Sequence, residues 1–369
     1  MIRIIQTDKG AALVITIAIV AVLLTAGLQL GHFARNSIKA TRVEKDMFQA
    51  EQIAMSGIEL AKLILADDAA TNQIDSIQES WADPEKISAA IESLGIGTDV
   101  LKLTIIDELS KIQVNALINE FPGNTLNLDQ VKIWEKLSNL EPFNKMVTDS
   151  GDPARIINPV KDWLDSNDDE MISGLSGAES DYYLNLDPPY ECANGSLDHI
   201  SQLSLIKGFS SDQLEKYRLD QSDDNQGQKI EWDHLFTVYG LSDEISGEKY
   251  RYPGRININT APVEVIKALL PEDRQDLAET LVEFREQKSE NNETFIHPLE
   301  KGWVENIIKL EAKEKKDFDQ VIGYSSHFFK VVCRVSHHDT QGQWTAYLKR
   351  EKNNLSGKWT CRVLQVERQ

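Results

Sequence analysis

Asp165, Asn167 and Asp169 place three oxygen-bearing side chains at alternate positions in DWLDSNDDE, residues 162–170. A hard cation collects oxygens in this way as a chain curls round it, and D-x-[DN]-x-[DN] is how a calcium loop opens. The loop is not an EF-hand. Glu170 replaces the turn glycine, and Ser176 stands where a bidentate glutamate would close the shell. Glu179 and Asp181, after the Gly177 turn, are the nearest carboxylates able to complete it. An acidic surface loop with N-capping aspartates is the plainer account of the same spacing.

Other chemistry is sparse. His337 and His338 are the only adjacent histidines, and they stand at a strand end before Asp339, where exposed turn residues are the default. Ser176 lies in GLSGA, which is no nucleophile elbow, and there is neither a phosphate loop nor a CxxC pair. ININTAPVEVIKALLPEDRQDLAETLVEFREQ (256–287) has the outline of a helix-hairpin-helix. Its hairpin is Leu270, Pro271, Glu272 and Asp273, which would repel a phosphate rather than cradle it. A formal charge of -20 argues against nucleic acid over the surface as a whole. Three cysteines, Cys192, Cys333 and Cys361, are too few to frame a fold, and their spacing leaves any pairing open.

The elements that must position these residues begin at the N-terminus. Residues 11–28 carry no charge, and as a helix they span roughly a bilayer's hydrocarbon core. No cleavage boundary of the secretory type follows. Helical sequence continues instead, with Val43, Met47, Ala50, Ala54, Ile58, Ala61 and Leu65 forming one apolar stripe at spacings of three and four. That stripe is expected to pack against the stem helices of partner subunits. Arg3 and Lys9 on one side, against Arg35, Lys39 and Arg42 on the other, leave the orientation open.

Residues 87–95 read as a short helix, and 101–117 as two strands around a turn. A mostly helical stretch follows, with helices expected at 129–140, 156–165, 198–207, 211–217, 262–270, 273–287 and 304–321. FFKVVCRVSHH, QWTAYLKREK and KWTCRVLQVER then form a closing β-meander.

Several segments together resemble one family. A short charged leader ending at Gly10, cut before Ala11 and an uninterrupted apolar helix, resembles the leader of type IV prepilins and type II secretion pseudopilins. Asp162-Trp163-Leu164-Asp165, Gly177-Ala178-Glu179, Tyr182-Tyr183-Leu184, Pro188-Pro189-Tyr190, Ala193-Asn194-Gly195 and the run Leu203 to Phe209 are similar to the K-type minor pseudopilin of type II secretion, GspK. The likeness extends to Lys111–Asn115 and Arg255–Pro262, and so covers nearly the whole chain. Most pseudopilins carry a glutamate at the fifth mature position, where this chain has Ile15. That departure suits a subunit with no neighbour ahead of it whose terminal amine needs neutralising.

The resemblance implies a pilin-like α+β fold: a long N-terminal transmembrane and amphipathic helix plus an antiparallel β-meander, with a large inserted α-helical domain. On that pattern, residues 1–10 are the prepilin leader, 11–31 the transmembrane helix and 32–67 the amphipathic stem. Residues 68–118 begin the pilin-like αβ domain, 119–322 are the insertion with its calcium loop, and 323–369 complete the meander. The resemblance also implies structural calcium held among Asp162, Asp165, Asn167, Asp169, Glu179 and Asp181. It implies processing by the prepilin peptidase, with methylation at Ala11, and a body in the periplasm anchored to the inner membrane of a Gram-negative bacterium. The implied partners are the I- and J-type minor pseudopilins and the major pseudopilin filament. The expected function is that of a non-enzymatic subunit at the tip of the pseudopilus. A minor pilin of a type IV pilus or DNA-uptake system is the nearest rival, and a membrane-anchored periplasmic metal enzyme the rival of another class.

Overall fold

A computed structural model describes residues 8–140, 143–145, 151–167, 172–209, 232–242, 247–289, 291, 294–338 and 340–368. The first element, α1 (Asp8–Thr71), is one helix of 64 residues. It contains no proline to break it, and from Ala12 onward it is long and apolar enough to cross a membrane. From residue 12 to residue 45 the rest of the described chain leaves it almost wholly uncovered.

After α1 comes α2 (Pro84–Ser93). Pro84 opens it, and the Asp83 carboxylate caps it by accepting from the Glu85 amide at 2.9 Å. Then β1 (Leu101–Asp107) alternates buried and open positions, the signature of a strand with one covered face. The chain next leaves the sheet. β2 (Ile112–Gln113), α3 (Leu128–Ser138), α4 (Ala154–Leu164), β3 (Phe236–Thr237), β4 (Ile256–Asn257), α5 (Val263–Leu269), α6 (Leu277–Glu286), α7 (Ala312–Val321) and β5 (Ile322–Gly323) follow in order. The last three strands, β6 (Phe328–His337), β7 (Thr340–Lys352) and β8 (Trp359–Arg368), return to the first.

The main sheet is antiparallel with the order β1-β6-β7-β8. Leu101 pairs with Val335 and Asp107 with Phe329, so two strands that are neighbours in space are separated by residues 108–327 in sequence. Described residues of that interval form a second hydrophobic core, built on Trp134, Trp163, Phe121, Phe236 and Ile266.

The sheet's own core faces α1. Ala50, Ala54, Ile58, Ala61 and Leu65 are buried with Leu103, Ile105, Val331, Trp344 and Leu348. Small residues allow this close approach. A Cβ placed on Gly57 would sit 3.1 Å from Cys333 Sγ and 3.2 Å from Leu101 Cδ2. Five members of the apolar stripe are therefore covered by the chain's own sheet and are not open to partner stems, which corrects the expectation drawn from periodicity. Val43 is exposed and Met47 half-buried, so these two alone of the seven remain at the surface.

The expected second strand within 101–117 is shortened to β2 and pairs away from β1. Asp107 caps a 3-10 turn over Glu108–Ser110 through the Leu109 amide at 2.7 Å, and the chain departs from β1 there. Ile112 and Gln113 pair in parallel with Phe236 and Thr237, and a second 3-10 turn, Val114–Leu117, follows. All of Ile112 to Ile118 is buried, so this run belongs to the inserted core rather than to a half-covered hairpin. The expected helix at 198–207 is a 3-10 turn, Ile200–Leu205, and that at 304–321 divides into Trp303–Asn306 and α7. The helix expected at 211–217 lies outside the described residues.

Polar groups join the two cores. Arg350 of β7, 4% exposed, reaches both oxygens of Asp75 at 2.6 and 2.7 Å, Asp68 Oδ2 at 3.2 Å and the Ser326 carbonyl at 2.8 Å. Asp107 accepts from Asn257 Nδ2 at 2.8 Å and Thr260 Oγ1 at 2.6 Å. The insertion is thus held by hydrogen bonds at the strand ends where it leaves and rejoins the sheet.

Candidate functional site: a buried carboxylate group in the insertion

Asp162 lies in the last turn of α4, and Asp165 is its C-terminal cap. Two carboxylates at this end oppose the helix dipole, whose C-terminus is already negative. Both are fully buried, and the loop that follows returns Glu179, 4% exposed, to the same place. One carboxylate oxygen from each of Asp162, Asp165 and Glu179 lies within 4.8 Å of the others.

The loop is shaped around Asp162. The Ser173 amide donates to it at 3.1 Å and the Ala178 amide at 2.8 Å. Gly177 is required at its position: an added Cβ would fall 2.1 Å from Asp162 Oδ2. Asp165 accepts from the Asn167 amide at 3.3 Å and from Lys161 Nζ at 2.8 Å. That ammonium also donates to Ser173 Oγ at 2.6 Å and stands 3.7 Å from Asp162 Oδ1. Burial outweighs these contacts and raises the Asp165 carboxyl above the usual carboxylate range.

Beneath the loop, Trp163 packs edge-on to Tyr183 at 4.9 Å, and Tyr183 stacks on Tyr190 at 5.3 Å. Lys207 Nζ donates to the Gly177 carbonyl at 3.1 Å, and Tyr190 Oη donates to the Leu205 carbonyl at 2.7 Å. The two tyrosine motifs and the LSLIKGF run thus clamp the acidic loop from below.

Of the six residues expected to hold a metal, the fold brings together Asp162, Asp165 and Glu179 and leaves Asn167 half-buried beside them. Asp181 is exposed in the single helical turn Ser180–Tyr183 and is not one of the three. Asp169 lies outside the described residues. Sequence reading passed over Lys161, because a lysine four residues before an aspartate on a helix ordinarily marks an exposed ion pair. The donor set is all oxygen and matches hard cations such as calcium.

The Gly10-Ala11 junction falls in the first turn of α1, in backbone that is helical on both sides. Cys333 and Cys361 are buried thiols that do not bridge: the sheet pairs Cys333 with Trp344 and Cys361 with Arg350. Burial pushes Cys333 up to about 12 and Cys361 to about 11. Neither acts as a nucleophile at neutral pH.

A helix that can cross a membrane runs onto a four-stranded antiparallel sheet, and an inserted helical body carries a buried oxygen cluster. Together they define a pilin-like α+β protein with an elaborated head. The comparisons agree and are more specific. Residues 110–219 and 256–296 match family models described as type II secretion system (T2SS), protein K. The chain is 24% identical over 354 residues to the type II secretion system protein K of Pseudomonas aeruginosa, covering 94% of this chain and 90% of that one. Among solved structures it resembles a chain in the crystal structure of the GspK-GspI-GspJ complex from enterotoxigenic Escherichia coli. The TM-score is 0.57 and the identity 16%, over 89% of this chain and 99% of that chain. By these matches the chain is similar to the protein K family of type II secretion systems, the K-type minor pseudopilins.

Proposed function

We propose that this chain forms the tip of the pseudopilus, where it assembles with I- and J-type minor pseudopilins to initiate or cap the filament that exports folded proteins across the outer membrane. The observation that carries this reading is the position of the insertion. Residues 108–327 leave the sheet at β1 and rejoin it at β6. A second body of that size on each subunit would clash if the subunit were repeated along a thin shaft, but it has room where nothing stacks above it. The structural relative found with GspI and GspJ supports the choice of partners.

In this reading the prepilin peptidase cuts after Gly10 and methylates Ala11, and α1 stays in the inner membrane with the body in the periplasm. The major pseudopilin filament continues below. The role is mechanical, without turnover. Calcium would be held by Asp162, Asp165 and Glu179, with half-buried Asn167 beside them as a further oxygen donor. It would supply the positive charge that three buried carboxylates at a negative helix end require.

Native mass spectrometry of the processed chain in detergent with its I- and J-type partners tests both parts. The expected species is one-to-one-to-one and carries calcium that a chelator removes. Asp165→Asn should lower the calcium affinity and, in excess calcium, the thermal midpoint. A chain that stays alone and metal-free would overturn the reading.

A further inference from the structure

Another cluster of metal-ligating side chains lies far from the acidic loop in sequence, where α1 meets the β6–β7 hairpin. His337 pairs directly with Thr340, so the hairpin turn is two residues long. His338 is the first of them and takes a φ of 51°, in the left-handed region where such turns normally use asparagine or glycine. Successive strand residues point to opposite faces. The turn interrupts that alternation and brings the two imidazoles to a centroid separation of 4.1 Å.

Both rings meet α1. His338 Nδ1 lies 3.3 Å from Asp46 Oδ1, and His337 Nε2 lies 3.3 Å from Gln49 Oε1. The Asp46 side chain is only 11% exposed and is the first buried position of α1 after the uncovered stem. One ligand atom from each of Asp46, His337 and His338 lies within 4.8 Å of the other two.

This donor set differs in kind from the acidic loop. Two imidazoles and one carboxylate suit a borderline late dication, whereas calcium prefers oxygen alone. Tetrahedral zinc with bonds of about 2.1 Å needs its ligands about 3.4 Å apart, so closing the site takes on the order of 1 Å of side-chain movement. His338 has room to make that movement, with 65% of its side chain exposed.

We propose that Asp46, His337 and His338 form a zinc site that pins the stem helix to the β6–β7 hairpin at the point where α1 leaves the sheet. A fourth position remains for water or Gln49. The ion would fix the direction in which the uncovered stem projects, since among the described residues α1 has almost no other cover beyond that point.

The test uses the tag-free full chain in detergent, with excess calcium present to occupy the hard-oxygen site. Zinc is titrated against a chromophoric chelator, and the bound ion is examined by X-ray absorption at the zinc edge. One equivalent of zinc is expected, with two imidazole nitrogens at about 2.0 Å. His338→Asn keeps a residue that tolerates the left-handed turn, and Asp46→Asn keeps the shape of the carboxylate. Each should weaken zinc binding at least tenfold while leaving the thermal midpoint without zinc unchanged. The proposal is overturned if zinc binds as tightly to both variants as to the parent chain, or if the absorption spectrum shows no imidazole ligation.

Discussion

At the scale of single residues, the most informative groups are buried carboxylates. Glu79 accepts from the Ser76 amide at 3.0 Å and from Trp81 Nε1 at 2.8 Å, yet burial raises it from 4.5 to about 7, with Asp68 and Asp75 adding repulsion. A carboxyl whose folded value is raised stabilises the fold below its unfolded value, and that contribution is lost as pH climbs through the folded one. Stability from this group is therefore full below about pH 4.5 and gone above about pH 7. Glu79→Gln retains an oxygen for both donors and cannot ionise. The expected outcome is that the variant gains about 1–2 kcal/mol on the parent between pH 4.5 and 7.5, after discounting for partial exposure. Denaturant melts across that range decide it, and parallel curves would contradict the assignment. Asp162, Asp165 and Glu179 show what was legible at this scale. Alternating oxygens singled out Asp165, which the fold does bring into a carboxylate cluster, but nothing in the spacing said that Glu179 would join it and Asp181 stay exposed. That outcome depends on Gly177, whose missing Cβ lets the loop close on Asp162.

At the scale of elements, α1 carries the main lesson. Its periodicity reported that one face is buried, which is true of Ala50, Ala54, Ile58, Ala61 and Leu65, but periodicity does not say by what. The covering surface is the chain's own sheet, whose first and later strands are too far apart in sequence to be read as one layer. The meander was legible because its strands are consecutive and joined by short turns. The strand begun at Ile112 ends after two residues where a longer one was expected, because an unbroken buried run looks alike in a strand and in a 3-10 turn. The helix–sheet contact makes a clear prediction. Gly57→Val would place Cβ in tight contact with Cys333 and Leu101 and add two γ-carbons to the same interface. It should cost about 1–3 kcal/mol, measured as a shift in the denaturant midpoint of the detergent-solubilised chain. An unchanged midpoint would mean that α1 lies further from the sheet.

At the scale of the whole molecule, two hydrophobic cores share one set of strand ends, and Arg350 with Asp75 and Asp107 holds the join. The order of long helix, strand, mostly helical stretch and closing meander was readable from hydropathy, but that the helical stretch is an insertion between neighbouring strands was not. What it serves came from the resemblance to the protein K family. The central claim is that the inserted body confines this subunit to one end of the pseudopilus. The most direct measurement is immunogold electron microscopy of assembled pseudopili, with label raised against residues of the insertion. The account predicts label at one tip of each filament and none along the shaft. Label repeated at regular intervals along the shaft would contradict it.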